Sequence, residues 1–260
     1  MYAALLALSL TATSLPAAAS AQAFTDVDRN QYAWAVPALD AMVANGVING
    51  FEDGSFKPTK EVTKAEFASM ITRLFDKYHA SEKDLPGDDW AAKALRKMGT
   101  SQFLSEEFDK NNGYQMTRLE IARWIAENFD GRFDQDLPAN ELIQYTSGMS
   151  DVKVYVLDNS YGPEEYAKVM DEIQAKVGDN YLMGGHYILD KDAEGGISGS
   201  DMDLPMVRTI ANFNKAGLMT PYNGQFRPTD KISRIETAVF LTKLATYMEK
   251  QGFLKEYSSK

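Results

Sequence analysis

The chain carries one five-residue pattern at three places, and each copy has a cation at its centre. Each copy consists of a hydrophobic residue, a hydroxyl residue, a cation, an apolar residue and a glutamate. A hydroxyl residue followed by Glu three positions later is typical of a helix start, because the two side chains satisfy each other's backbone N–H groups. The pattern therefore predicts three helices with a cation in the first turn, and these cations are Lys64, Arg118 and Arg234.

These cations are candidate binding residues. A positive charge at a helix N-terminus opposes the helix dipole, at a cost of about a few tenths of a kcal/mol. A solvent-exposed helix face would explain one cation at this position. A cation at all three helix starts suggests a binding role. A cation beside a helix N-terminus favours a carboxylate or phosphate. Lys64 supplies charge but lacks the two-pronged geometry of the two arginines.

A second group of charged residues lies in the acidic segment 190–201. It follows the twelve-residue calcium loop, with oxygen-bearing side chains at positions 1, 3 and 5, Gly at 6, an apolar residue at 8 and a carboxylate at 12. Against calcium, position 12 is Asp rather than the longer Glu, and Glu is unusual at position 5. A plain acidic loop is the favoured interpretation. If calcium is a cofactor, its expected ligands are Asp190, Asp192, Glu194 and Asp201.

The composition argues against several other classes of site. The chain has no Cys and two His, which excludes thiolate chemistry and argues against a histidine-based zinc site. A formal net charge of −10 argues against nucleic acid as a partner. The common nucleophile, nucleotide and metalloprotease motifs are absent from the sequence. With 37 acidic residues, a chance carboxylate pair is uninformative, so we expect no enzyme activity.

A repeated helix–loop–helix unit is predicted to position the cations. In the first copy an aromatic-Thr-Asp-Val opening precedes a helix that starts near Trp34, and a Gly-rich turn then leads to Phe56 and Pro58. The third copy repeats this turn, with Phe226 in place of Phe56, and both rings are expected to fill the space between helices. Trp34 could stack on a sugar ring, but its helical spacing favours a core position.

This order of features resembles the S-layer homology family. The resemblance covers residues 24–77 and 198–247, and a degenerate second repeat at 84–130. It implies a mainly α fold in which three helix–loop–helix repeats form a pseudo-threefold bundle. It also implies that basic residues line clefts between repeats and hold an anionic cell-wall polymer, typically one ending in a pyruvylated amino sugar. The resemblance thus assigns polysaccharide binding to Lys64, Arg118 and Arg234.

The remaining segments complete the predicted organisation. Residues 1–23 combine a short apolar run with Ala-x-Ala sites, as in a signal peptide. Residues 134–197 are predicted to form a small α+β insertion between repeats two and three, with a strand at 151–157 and a helix at 164–177. Residues 248–260 form a C-terminal tail.

The expected function is non-covalent anchoring of an exported protein to the bacterial cell surface, cell wall or S-layer. The expected partner is a cell-wall glycan or a peptidoglycan-linked polymer. The alternative is a calcium-responsive structural or interaction protein of the envelope, whose repeats mediate contacts with other copies of the protein or with other envelope proteins. No transmembrane segment is predicted.

Overall fold

The computed structural model describes residues 24–78, 90–98, 111–158, 161–177 and 185–260, so the predicted signal peptide lies outside the described residues. The helices of this part are α1 Val36–Ala44, α2 Lys64–Leu74, α3 Trp90–Met98, α4 Arg118–Asn128, α5 Ala139–Thr146, α6 Pro163–Val177, α7 Asp203–Lys215, α8 Arg234–Lys250 and α9 Leu254–Tyr257. The strands are β1 Lys153–Asp158, β2 His186–Lys191 and β3 Ile197–Gly199. Among the described helices, none has the length and apolar character needed to cross a bilayer.

The three predicted capping boxes are confirmed. Helices α2, α4 and α8 begin directly after Thr63, Thr117 and Ser233, and each of these residues has extended backbone geometry. In every copy the hydroxyl oxygen accepts from the N–H of the glutamate three residues later, and the glutamate accepts from the N–H of the cap. The recurring pattern therefore sets where the second helix of each repeat starts.

A closed ring of backbone hydrogen bonds joins the three repeats just before these helices. The N–H of Val62 donates to the carbonyl of Ile232 at 2.9 Å, that of Ile232 to Met116 at 3.0 Å, and that of Met116 to Val62 at 3.1 Å. Each repeat thus donates to one neighbour and accepts from the other. This cyclic pattern is the pseudo-threefold arrangement expected for the fold.

The first N–H group of each second helix is also used by a neighbouring repeat. These groups donate to backbone carbonyls at 2.8 to 2.9 Å. The helix N-termini consequently have no free first-turn N–H at this position for a bound anion. The bonds run from Lys64 to Tyr114, from Arg118 to Asp230 and from Arg234 to Lys60.

Aromatic side chains of the second helices meet in the core. Phe67 of α2 lies 5.9 Å from Trp124 of α4 and 6.4 Å from Phe240 of α8, measured between ring centroids. Phe56 and Phe226 are completely buried, as predicted for the turns. The apolar face of each repeat is therefore shared with the other two, as expected for units too small to bury a core alone.

A small α+β unit lies between the second and third repeats. Strands β1 and β2 are parallel and joined through α6, and β3 pairs antiparallel with β2. On one side Leu157, Ile173 and Ile188 form a separate apolar cluster, whereas Tyr187 and Leu189 belong to the main core. The predicted strand and helix of this segment are both found, and the mainly α fold with a small α+β part is confirmed.

Two aspartates hold the turns of the first and third repeats in the same way. Each carboxylate accepts two consecutive backbone N–H groups at 2.7 to 2.9 Å. Asp151 lies upstream of β1, so the turn of the third repeat is held by a residue from the range predicted as an insertion. The bonds run from Phe56 and Lys57 to Asp26, and from Phe226 and Arg227 to Asp151.

Candidate functional site

A groove of about 750 Å³ lies where the three repeats meet, a volume within the range of small-molecule sites. Its walls include residues of all three repeats, and several of those from the third repeat belong to α8. We call it the Arg118 groove. The lining residues that matter for its chemistry are Trp34, Arg118, Tyr222, Arg227, Glu236 and Lys243.

The groove concentrates positive charge on a chain with a net charge of −10. Arg227 is compensated, since it pairs with Glu236 at 2.9 Å and with Asp230 at 3.8 Å. Arg118 and Lys243 form no ion pair with any carboxylate of the described residues. Burial and the charge of Arg227 lower the pKa of Arg118, and burial together with Arg118 lowers the pKa of Lys243. An anion bound here would relieve this repulsion.

The guanidinium of Arg118 is only partly used by the protein. Its Nε donates to the carbonyl of Phe226 at 3.0 Å, and its Cζ lies 5.7 Å from the centroid of the Phe226 ring. Its two Nη groups have no hydrogen-bond partner among the described residues. They remain available for a two-pronged contact with a carboxylate.

Two exposed aromatic side chains line the same groove. Trp34 is 58% exposed and Tyr222 is 72% exposed. The prediction that Trp34 is a core residue is wrong. Helix α1 begins at Val36, so Trp34 lies in the preceding turn and does not share the buried stripe of Leu39 and Met42. An exposed indole beside a cationic groove suits a sugar ring, because it offers a flat apolar face.

Arg234 occupies the equivalent position between the third and first repeats, but it is 4% exposed. Its Nε donates to the carbonyl of Phe56 at 2.8 Å, and its Nη2 donates to the carbonyl of Asn49 at 2.7 Å. Its Cζ also lies 4.7 Å from the centroid of the Phe51 ring. This arginine therefore ties the start of α8 to the turn of the first repeat.

Lys64 occupies the position between the first and second repeats and is also 4% exposed. The three predicted polysaccharide-binding residues are therefore not brought together at one site. They lie at related positions around the pseudo-threefold axis, and among them only Arg118 lines the groove described above. A binding role for Lys64 and Arg234 stays a prediction.

Of the predicted calcium ligands, Asp190 lies in β2, Asp192 and Glu194 lie in the turn between β2 and β3, and Asp201 follows β3. Asp190 accepts from the hydroxyl of Tyr166 at 3.2 Å, and Asp192 accepts from the N–H of Gly196 at 2.6 Å. Glu194 and Asp201 are exposed. Within the described part of the chain, no group of three or more acidic or histidine side chains could hold a metal ion. Calcium binding at these residues stays a prediction.

The positions of Arg227, Lys243 and Tyr222 at the groove were not predicted from their sequence pattern. Arg227 is the variable residue of the Phe-x-Pro turn and has a φ of +59°, and Lys57 occupies the same turn position with a φ of +57°. The shared turn motif could have identified this pair. Lys243 and Tyr222 have no such signal, because the groove is assembled from segments that are distant in sequence.

Two segments of the chain, residues 23–68 and 203–238, match the S-layer homology domain. The surface-layer 125 kDa protein of Lysinibacillus sphaericus is 29% identical over 143 residues, which are 52% of this chain and 12% of that protein. The outer membrane protein SlpA of Deinococcus radiodurans is 38% identical over 76 residues, 29% of this chain and 6% of that protein. The endo-1,4-beta-xylanase A of Thermoanaerobacterium saccharolyticum is 31% identical over 91 residues, 34% of this chain and 8% of that enzyme.

The chain thus spans only a small fraction of the length of these curated relatives. The matched segments contain the first and third capping boxes. They also contain the two turns whose N–H groups donate to Asp26 and Asp151. Relatives of this kind indicate a protein of the cell surface, cell wall or S-layer, as predicted. Two stretches of this chain are therefore similar to the S-layer homology domain, at the first and third of the predicted repeats.

Proposed function

We propose that this protein attaches non-covalently to the bacterial cell envelope by binding an anionic cell-wall polysaccharide in the Arg118 groove. The observation that carries the proposal is the pair of cations, Arg118 and Lys243, that lack a carboxylate partner among the described residues. Arg118 is half-buried, Lys243 is exposed, and the two like charges repel each other. A bound anion would offset this repulsion, beyond the favourable charge that Glu236, Asp230 and Asp151 already provide to Arg118.

The groove suits a sugar that carries a carboxylate. The free Nη groups of Arg118 can bind both oxygens of a carboxylate, and Lys243 adds a second positive charge. Trp34 and Tyr222 offer faces on which a sugar ring can stack. A pyruvylated amino sugar combines these two features, and it is the ligand that the family resemblance implies.

The proposed role is binding rather than catalysis. The xylanase relative is an enzyme, but the similarity covers 8% of its length. The acid in the groove, Glu236, already accepts from the N–H of Ser233 at 3.0 Å and pairs with Arg227 at 2.9 Å. These contacts lower the pKa of Glu236, although burial opposes them, so it is poorly suited to act as a general acid.

The test measures binding of the purified protein to cell-wall polymer, either intact or freed of pyruvate by mild acid. We expect Arg118→Ala to weaken binding to the intact polymer by about 10- to 100-fold, because it removes charge-assisted hydrogen bonds. Removal of pyruvate should weaken wild-type binding to a similar extent. Arg73→Ala is the matched control, since Arg73 is an exposed arginine of α2 that does not line the groove.

Equal binding by wild type and a folded Arg118→Ala variant would remove this groove from the mechanism. Equal binding to both polymer preparations would instead contradict the carboxylate as the recognised group. The calcium-responsive alternative has its own readout. Calcium titration with calorimetry would support it if heat were released and the release were lost in Asp192→Asn.

A further inference from the structure

The turns of the first and third repeats place an aromatic residue at the same backbone position. The N–H of Phe51 donates to the carbonyl of Ser55 at 2.8 Å, and the N–H of Tyr222 donates to the carbonyl of Gln225 at 2.9 Å. Ser55 and Gln225 each precede the buried Phe of their turn. Phe51 and Tyr222 are therefore counterparts. Lys57 corresponds in the same way to Arg227, and Arg234 corresponds to Arg118.

The ring of Phe51 lies between two cations. The Nζ of Lys57 is 4.0 Å from its centroid, and the Cζ of Arg234 is 4.7 Å from it. An aromatic face attracts cations through its negative quadrupole. Phe51 thus adds an electron-rich neighbour to these two side chains. Arg234 also pairs with Glu66 at 4.0 Å, and Lys57 pairs with Asp53 at 3.6 Å.

The corresponding cations of the other turn are Arg227 and Arg118. Among the described contacts the ring of Tyr222 lies over neither of them, and the aromatic contact of Arg118 is with Phe226, at 5.7 Å. Tyr222 is instead 72% exposed. The connection after the aromatic residue is shorter in this turn, with Asn223 and Gly224 where the first turn has residues 52–54. Tyr222, Arg227 and Arg118 all line the open Arg118 groove.

We propose that Phe51 is an intramolecular plug that occupies the ligand position beside Arg234, so that Arg118 provides the binding site and Arg234 does not. This rests on the proposed function of the Arg118 groove. Phe51 is then a residue that determines how many anionic sugars the repeats bind. Its half-buried ring closes one of two sites built on the same backbone frame.

The experiment is a calorimetric titration with a pyruvylated N-acetylhexosamine glycoside as the probe. We expect one site in wild type, the same site weakened by about 10- to 100-fold in Arg118→Ala, and an unchanged single site in Arg234→Lys. Phe51→Ala should add a second site. The double variant Phe51→Ala with Arg118→Ala should bind at one site, which isolates the opened position beside Arg234.

Two sites in wild type would overturn the plug while leaving the proposed function intact, whereas binding at full affinity in Arg118→Ala would overturn both. A folded double variant that does not bind would also overturn it. If Phe51→Ala does not fold, Phe51→Leu keeps apolar bulk but removes the aromatic face and serves as the second variant. Failure of wild type to bind the probe would overturn both proposals together.

Discussion

Arg118 and Arg234 show how the same residue at related positions can serve different purposes. Both follow a capping hydroxyl, and both donate Nε to the carbonyl of a buried Phe in the next repeat. Arg234 makes a second carbonyl bond and contacts two rings, whereas Arg118 keeps its Nη groups in the groove. The contacts of Arg234 favour the stability of the fold. The Nη groups of Arg118 are the ones that we propose for ligand binding.

This difference predicts unequal effects on the free energy of unfolding. We expect Arg234→Ala to lower it by about 2–4 kcal/mol, because two carbonyl groups lose a charged donor inside the protein. Arg118→Ala should lower it by about 1 kcal/mol, since one such bond is lost. Urea unfolding at neutral pH measures both, with Arg73→Ala as the exposed control. Equal losses for the two arginines would contradict the distinction.

The capping glutamates make stability depend on pH. Burial acts to raise the pKa of Glu66, but hydrogen bonds from Lys60 and the N–H of Thr63 outweigh it and lower the pKa. Glu236 is likewise lowered by its bonds to Ser233 and Arg227, against burial. In both cases the folded state binds protons less readily than the unfolded chain.

The contribution of these two carboxylates is therefore present above the unfolded pKa of about 4.3 and is lost as the pH falls through the lower folded values. We expect the free energy of unfolding to decline below about pH 4.3. Glu236→Gln should be less stable than wild type at pH 7 and should show a shallower acid decline. Urea unfolding at pH 7, 5 and 3.5 tests this, and parallel curves for wild type and variant would refute it.

At the scale of elements, the turns that carry Lys57 and Arg227 depend on one carboxylate each. Both residues have positive φ, a strained conformation for a residue with a side chain. The carboxylates of Asp26 and Asp151 bind the N–H groups of these residues and of the Phe before them. The carboxylate thus holds a turn that would otherwise relax.

We expect Asp151→Ala to lower the free energy of unfolding by about 2–4 kcal/mol, because two charge-assisted hydrogen bonds are lost. It should also weaken polymer binding, since Arg227 would no longer be held at the groove. Asp26→Ala should cost similar stability without reducing binding at the Arg118 groove. Asp171→Ala, on the exposed face of α6, is the control for both. Binding unaffected by a destabilising Asp151→Ala would separate the turn from the groove.

The local features of these elements could be predicted from the sequence. Capping boxes and the buried Phe56 and Phe226 depend on residues within one repeat, so their pattern is readable. The groove could not be predicted in the same way, because Trp34 and Lys243 meet only after the repeats pack. The role of Asp151 was also missed, although Ser150-Asp151-Val152 repeats Thr25-Asp26-Val27. The sheet and α6 lie between Ser150-Asp151-Val152 and α7. The opening of the third repeat is therefore distant in sequence from its first helix, which makes it hard to recognise from the sequence.

At the scale of the whole molecule, the backbone ring makes the repeats interdependent. An open array of repeats can lose a terminal unit and keep the others folded. Here the N–H of Val62 and the carbonyl of Met116 both need Ile232. Loss of the third repeat would leave these groups and the shared aromatic core without partners.

We therefore expect a truncated chain of residues 24–147 to lack a cooperative unfolding transition, whereas residues 24–260 should unfold in one step. Far-ultraviolet circular dichroism during heating measures the difference. Adding the missing part, residues 148–260, as a separate polypeptide should restore some cooperativity if the ring can close between chains. A sharp transition in the truncated chain alone would show that two repeats suffice.

The same ring has a consequence for the order of events during secretion. A protein that crosses a membrane as an extended polymer must avoid completing its fold too early. Closing the ring joins Val62 to Ile232, a contact between the first and last repeats, and such long-range contacts form slowly. The groove is built from Trp34, Arg118 and Arg227, one residue from each repeat, so it takes shape only when the last repeat has arrived. The groove that we propose for envelope binding can therefore form only after the whole third repeat is available to fold.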